Sequence, residues 1–454
     1  MKIIIIGAGG VGFYLAQKLA SENKEVIVID SAPDAIKRAS ENIDAQTIIG
    51  DGGSPRILKE AGLSEADILL AVTNSDSVNI TACAVANIIS PSTKKIARIR
   101  NADFDSFHQS LMRYAPHIDT IINPEIEVAN TIERLFKVPG AIEVNEFAKG
   151  KIKFIGVRLK KNSRLSGLKL IEIASEIGDK PLLIAGIIRN EKLIVPTGQD
   201  KLKPDDLIYF ISEEKHLAET MSLFQEYTSA PTKIMIIGGG SIGLKLAERL
   251  EHRGLIPKLI EINETKASVL AEKLNKTIIL QGDGSDRELL AGENISGMDM
   301  VVTVTNDEEI NILSALLAKK MGGCKTIAKI DKFDYFPLMA AIGIEQVVSE
   351  RVSAIDSILK HIRKGKVISA ISIKGEEAEV LEAEALATSA IVGKPLKKAS
   401  VPRGSLIIGI LREEQVIIPS GETVIIPGDR IIIFATKNAL PKVEKILTVK
   451  LEFF

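Results

Sequence analysis

Tryptophan is absent from the 454 residues, and all aromatics together reach only 4%. Core volume must therefore come from Ile, Val, Leu and Ala, which suits parallel strands buried between helices. Cysteine occurs twice, at Cys83 and Cys324, in opposite halves of the chain. That excludes a disulfide framework and points to a reducing, cytoplasmic setting. The five histidines have no counterparts across the duplication described below. No Ser-His-Asp order, HExxH or metal-spaced cysteine set is present, so hydrolytic triads and zinc sites lack support. GxxxxGK[ST] is missing too, which disfavours a P-loop ATPase. Neither sign of charge dominates, with 58 basic against 59 acidic residues. Such a balance offers no global field for nucleic acid. The most apolar stretch, Ile3 to Ala20, is broken by four glycines and by Gln17 and Lys18. A bilayer span needs about 20 mostly apolar residues, and the glycines also argue against a signal peptide.

What the chain does have, it has twice. KIIIIGAGGVG, Lys2 to Gly12, returns as KIMIIGGGSIG, Lys233 to Gly243. An apolar run entering Gly-x-Gly-x-x-Gly reads as buried strand, tight turn and helix start, the dinucleotide fingerprint. Gly7 permits the turn, Gly9 lets backbone approach a pyrophosphate, and Gly12 lets helix and strand pack closely. Ala8, Gly10 and Val11 supply the remaining backbone, whose free N–H groups face a phosphate. Gly238, Gly239, Gly240, Ser241, Ile242 and Gly243 repeat the arrangement. Asp30 ends the next strand 18 residues after Gly12, and Glu261 stands 18 after Gly243. A carboxylate there suits ribose hydroxyls and repels a 2′-phosphate.

Other strand ends repeat as well. TIIGDGGS carries Asp51, and TIILQGDGSD carries Asp283. AVTNSD supplies Thr73 and Asn74, answered by Thr305 and Asn306. Arg98 in KIARIRN faces Lys329 in TIAKIDK. Asp51 and Asp283 fit either a turn or the border of an adenine site. Arg98 fits either a solvated strand or a phosphate contact. Strands alternating with helices predict an α/β fold with two doubly wound parallel sheets, ligands sitting at the carboxyl ends of the strands. Each is followed by a small α+β module of short strands, too small to bury a large core alone. The expected limits are 1–138, 139–226, 227–362 and 363–454, with TSAPT as the central linker. KHIRKGK, Lys360 to Lys366, reads as a solvated helix end. The second half has VVSERVS where the first has IINPEIEVA, so the helix capped by Asn123 and begun by Pro124 need not recur.

GAGGVG with Asp30, GDGGS, VTNSD, IARIRN and INPE, followed by a β-rich module and then repeated, resembles the RCK/KTN regulators of potassium transport. The tandem order across the whole chain is similar to the regulatory subunits of Trk-type potassium uptake. The resemblance implies a cytoplasmic, peripheral homo-oligomeric ring on the inner face of a TrkH-type potassium channel, binding NAD(H) and ATP or ADP without chemistry. It places the first nucleotide on Gly7 to Val11, Asp30, Asp51, Thr73, Asn74 and Arg98. The second falls on Gly238 to Ile242, Glu261, Asp283, Thr305 and Asn306.

The rival reading is an NAD-dependent oxidoreductase, which the fingerprint permits. A dehydrogenase needs an acid–base residue facing the nicotinamide. The small modules repeat no His, Lys or Tyr set. A Rossmann-type DNA-binding redox sensor would need a basic recognition helix, which the sequence lacks.

Overall fold

The computed structural model describes residues 1–114, 116–177, 182–224, 229–362, 367–373 and 377–447. Residues 363–366 of the basic run and Thr228 of the linker lie outside the described residues.

The first half opens with six parallel strands: β1 (Lys2–Ile6), β2 (Glu25–Asp30), β3 (Gln46–Ile49), β4 (Ile68–Ala71), β5 (Lys94–Arg98) and β6 (Thr120–Ile122). Their order is β3-β2-β1-β4-β5-β6, so the winding reverses between β1 and β4. Ile3 to Ile6 are all but inaccessible, as a central strand covered on both faces requires. Connecting helices are α1 (Gly10–Ser21), α2 (Pro33–Asn42), α3 (Pro55–Glu60), α4 (Asp76–Ile89), α5 (His108–Arg113) and α6 (Pro124–Lys137). Ile6 pairs with Ile29 on one side and Ala71 on the other. That register brings Gly7, Asp30 and Val72 to one edge of the sheet.

An antiparallel sheet follows, ordered β10-β9-β11-β8-β7. It consists of β7 (Glu143–Phe147), β8 (Ile152–Arg158), β9 (Leu182–Arg189), β10 (Lys192–Ile194) and β11 (Leu207–Glu213), with α7 (Leu170–Ile177) and α8 (Leu217–Phe224).

The second half repeats the plan. β12 (Ile234–Ile237), β13 (Lys258–Glu261), β14 (Ile278–Gln281), β15 (Met300–Thr303), β16 (Lys325–Lys329) and β17 (Gln346–Val348) form the parallel sheet β14-β13-β12-β15-β16-β17. Its helices are α9 (Ser241–His252), α10 (Glu264–Lys273), α11 (Arg287–Gly292), α12 (Glu308–Gly322), α13 (Phe336–Ala341) and α14 (Glu350–Ile362). The helix after the last parallel strand is thus kept without proline. Asn123 Oδ1 accepts from the Glu125 and Ile126 amides, at 3.1 and 3.3 Å, and Ser349 Oγ accepts from Val352 N at 3.2 Å. A different cap does the same work.

The last module contains β18 (Val367–Ile373), β19 (Ala378–Glu384), β20 (Ser405–Arg412), β21 (Gln415–Ile417), β22 (Arg430–Thr436) and α15 (Leu440–Leu447), ordered β18-β19-β22-β20-β21. β19 is absent from the strands that the sequence indicates. AEVLEAE has helix-forming composition, yet it pairs with β18 and β22 and buries Glu379 and Glu382. Tertiary pairing overrides local propensity here.

The two small modules share one core. Phe154 stacks on Tyr209 at 5.4 Å and lies 6.5 Å from Phe434, with Ile211, Ile408 and Ile432 in the same cluster. Neither module has to make a core alone. Each also carries the same brace. Arg189 Nε and Nη2 donate to the two oxygens of buried Asp206 at 2.8 and 2.7 Å, and Arg412 does so to Asp429 at 2.9 and 2.8 Å.

Compact units do not follow the halves of the chain. One comprises residues 1–128 with 349–362, the other 129–348 with 363–454. The first parallel sheet is therefore completed by α14, a helix from the second half. Within the other unit, Glu133 on α6 lies 3.6 Å from Arg249 on α9, so that helix packs beside the second parallel sheet.

Candidate functional site

At the first glycine turn, Gly7 has φ +102°, and a β-carbon on it would meet Thr73 N at 3.0 Å. Only glycine combines that φ with such an approach at low cost. A β-carbon on Gly12 would lie 1.8 Å from the Gly7 carbonyl oxygen, which fixes how closely α1 follows β1. Gly9 precedes the helix with open space before it. Its turn opens into a cavity of about 600 Å³, in the ligand-pocket range.

Gly7, Gly9, Gly10, Val11, Asp30, Asp51, Thr73, Asn74 and Arg98 all line this cavity, so the structure brings the first set of expected residues together. Ala8 and Gly12 stand behind the wall. Asp30 Oδ2 accepts from Ala8 N at 2.6 Å and Oδ1 from Ala32 N at 2.8 Å. It therefore holds the glycine turn in shape, a task beyond the ribose contact read from its position. A carboxylate retains further acceptor capacity for a ligand hydroxyl. Asp51 Oδ1 accepts from Gly53 N at 2.9 Å, so turn chemistry and cavity lining coexist in one residue.

Arg98 is only 8% exposed, and its Nε has no hydrogen-bond partner. Nη1 reaches Asn74 Oδ1 at a long 3.5 Å. Burial, with Arg100 alongside, lowers the Arg98 pKa from the ordinary arginine value. An arginine still carries its charge at neutral pH. A buried cation with spare donors at a cavity wall is suited to an anion. Asp30 and Asp51 follow β2 and β3, and Arg98 ends β5 across the switch point, with Glu350, Asp76 and Glu125 near enough to act on its charge.

Sequence reasoning missed Asn79. It is fully buried, and Oδ1 accepts from Thr73 N at 2.9 Å and Thr73 Oγ1 at 2.7 Å. Its Nδ2 donates to the Thr73 carbonyl at 3.1 Å and the Arg98 carbonyl at 2.8 Å. Asn311 repeats the set with Thr305 and Lys329. The signal was there in both copies, as the asparagine six residues after the threonine.

The second turn differs in detail. Gly238 has φ +112°, Gly243 sits against Gly238, and Gly240 is open. Ile242 is buried, whereas Ser241 and Asn306 are exposed. Glu261 is 7% exposed; Oε2 accepts from Gly239 N and Oε1 from Asn263 N, both at 2.9 Å. Asp283 Oδ1 accepts from Ser285 N and Oγ, both at 2.8 Å. A β-carbon on Gly239 would lie 2.4 Å from Leu270 Cδ1. The corresponding pair in the first turn, 231 positions earlier, is Ala8 and Ala39. Glycine stands against leucine in one copy, and alanine occupies both matching positions in the other.

The TrkA-N domain model matches residues 3–124 and 234–350, and the TrkA-C domain model matches 154–225 and 380–448. The Trk system potassium uptake protein TrkA of Azorhizobium caulinodans is 34% identical, covering 100% of both chains. TrkA homolog 2 of Methanosarcina mazei is 37% identical over 98% of this chain and 100% of its own. Among solved structures, the GsuK RCK domain superposes with TM-score 0.61 at 19% identity, covering 98% of this chain and 94% of that one. The GsuK channel bound to NAD gives 0.60 at 19% identity, covering 98% and 78%.

Proposed function

Since the chain belongs to the TrkA family of Trk system potassium uptake proteins, we propose that it is a nucleotide-binding regulatory subunit, not an enzyme. In this reading it sits on the inner face of the membrane as a homo-oligomeric ring and gates a TrkH-type potassium channel. No helix among the described residues is long and apolar enough to cross a membrane. Its four modules are 1–138, 139–226, 227–362 and 363–454. NAD(H) and ATP or ADP are the proposed ligands of both glycine turns. Gly7 to Gly12, Asp30, Asp51, Thr73, Asn74 and Arg98 serve the first, and Gly238 to Gly243, Glu261, Asp283, Thr305 and Asn306 serve the second.

The observation that carries the reading is the cavity at the first turn, with buried Arg98 in its wall. Its lining offers backbone N–H groups, hydroxyls, two carboxylates and one guanidinium, and no His, Lys, Tyr or Cys. That set suits a nucleotide, with amides and a guanidinium for phosphate and carboxylates for hydroxyls. A nucleotide that prefers one arrangement of the ring shifts the population toward it, by no more than its differential affinity. Coupling of this kind is typically about 5- to 150-fold. The test is potassium flux into vesicles holding a TrkH-type channel, with and without this chain, in the presence of ATP, ADP or NADH. Nucleotide-dependent flux is expected; flux indifferent to every nucleotide sinks the proposal.

A further inference from the structure

The helix that the second half lends to the first parallel sheet brings a charged residue to the glycine turn. A β-carbon on Gly10 would lie 2.8 Å from Cζ and Nε of Arg351 and 2.9 Å from its Nη2. Gly10 is thus covered by a guanidinium from α14, while Arg38 Nη2 from α2 donates to the Ala8 carbonyl of the same turn at 2.7 Å. Arg351 is the second residue of α14, and α14 is held firmly. Its Ala354, Ile355, Ile358, Leu359 and Ile362 are buried, and Lys94 Nζ on β5 donates to the His361 carbonyl at 2.8 Å. A cation at the last carbonyls also complements the helix dipole. The position of Arg351 is therefore set by the fold, more than 300 residues along the chain from the turn it covers.

Charged residues lie on both sides of the cavity, and Glu350, Asp76 and Glu125 also act on Arg98. Asp30 and Asp51 lie over β2 and β3, the glycine turn lies over β1, and Arg98 lies at β5. Arg351 and Arg38 each bring a guanidinium to the turn itself, Arg351 over Gly10 and Arg38 to the Ala8 carbonyl. At the equivalent position of α6, also second in its helix, stands Glu125. The sign is reversed, so this arginine is not a shared feature of the two halves.

We propose that Arg351 completes the phosphate subsite at the first glycine turn, taking the distal phosphate of a nucleoside di- or triphosphate. This rests on the nucleotide reading above and deepens it. The ribose end lies toward Asp30, and the phosphates run along the turn to Arg98 and Arg351. A monophosphate stops at the turn amides. Because Arg351 belongs to α14, occupancy is felt directly by a helix of the second half.

The test is calorimetric titration of the full-length chain with AMP, ADP and ATP, for wild type and Arg351→Ala. Arg98→Ala serves to identify which isotherm belongs to the first turn. Removing a charge-assisted bond to phosphate should weaken ADP and ATP roughly 10- to 100-fold at that site. AMP affinity should stay unchanged. Arg351→Gln keeps most of the stem without the charge and gives the same readout if the alanine variant does not fold. Wild-type ADP affinity in a folded, uncharged variant overturns the role of Arg351 and leaves the site standing. An equal loss for AMP and ADP also overturns it, since that is a general disturbance of the turn. If the wild-type chain binds none of the three, this subsite and the ATP or ADP part of the nucleotide reading both fall.

Discussion

Asn79 holds Thr73 through both its backbone and its hydroxyl, with Oδ1 2.9 Å from Thr73 N and 2.7 Å from Oγ1. The same side chain donates to the Arg98 carbonyl at 2.8 Å, so it ties the loop after β4 to the end of β5. Asn79→Ala would leave the partly buried Thr73 amide and the buried Arg98 carbonyl without their partner. Leaving polar groups unsatisfied costs about 1–3 kcal/mol each, so a total loss of about 2–6 kcal/mol is expected, toward the lower end for the partly exposed amide. Hydrogen exchange at the Thr73 amide should accelerate, and nucleotide affinity should fall because Thr73 and Arg98 are no longer fixed. Unchanged protection of that amide would show that Asn79 does not set the loop.

Gly239 stands against Leu270, and the corresponding positions of the first copy are Ala8 and Ala39, both fully buried. Gly239→Ala alone would drive a methyl to within 2.4 Å of Leu270 Cδ1. Overpacking of this kind costs about 1–3 kcal/mol. Leu270→Ala alone removes a buried side chain, worth about 2–5 kcal/mol. The double variant reproduces the first-copy pair, so its loss should fall short of the sum by about 1–2 kcal/mol. Denaturant unfolding of the four proteins measures this coupling, and strict additivity would refute the compensation.

The glycine turns, the strand-end carboxylates and the parallel sheets were legible because their determinants are local and doubled. A run of apolar residues ending in glycine needs no knowledge of what packs elsewhere. Arg351 was not legible. Nothing near it in sequence says that α14 lies on the sheet of the other half, and its counterpart Glu125 has the opposite charge. Asn79 was visible as a repeated letter, but its role depends on a loop folding back six residues. β19 was hidden because glutamate and alanine favour a helix until two neighbouring strands claim the backbone. The braces Arg189–Asp206 and Arg412–Asp429 recur at the same 17-residue separation. That spacing acquires meaning only once the hairpins are folded.

Glu143, at the start of β7, accepts from Tyr209 Oη at 3.1 Å and from Asn145 Nδ2 at 2.8 Å. Burial pushes its pKa up to about 7, against smaller opposing effects of Tyr209, Asn145 and Arg134. The folded chain therefore holds this proton more tightly than the unfolded chain, where the ordinary value is 4.5. Stability from this group is fully present below pH 4.5, falls as pH rises toward about 7, and is flat above that. Glu143→Gln keeps the size and a neutral amide, so it should remove this component. Melting temperatures of wild type and Glu143→Gln, measured from pH 4.5 to 8, should diverge on the rising side, with the variant gaining relative to wild type. Parallel pH profiles would mean that Glu143 titrates as it does in the unfolded chain, and that the neighbouring Tyr209 hydroxyl and Asn145 amide offset the whole cost of its burial.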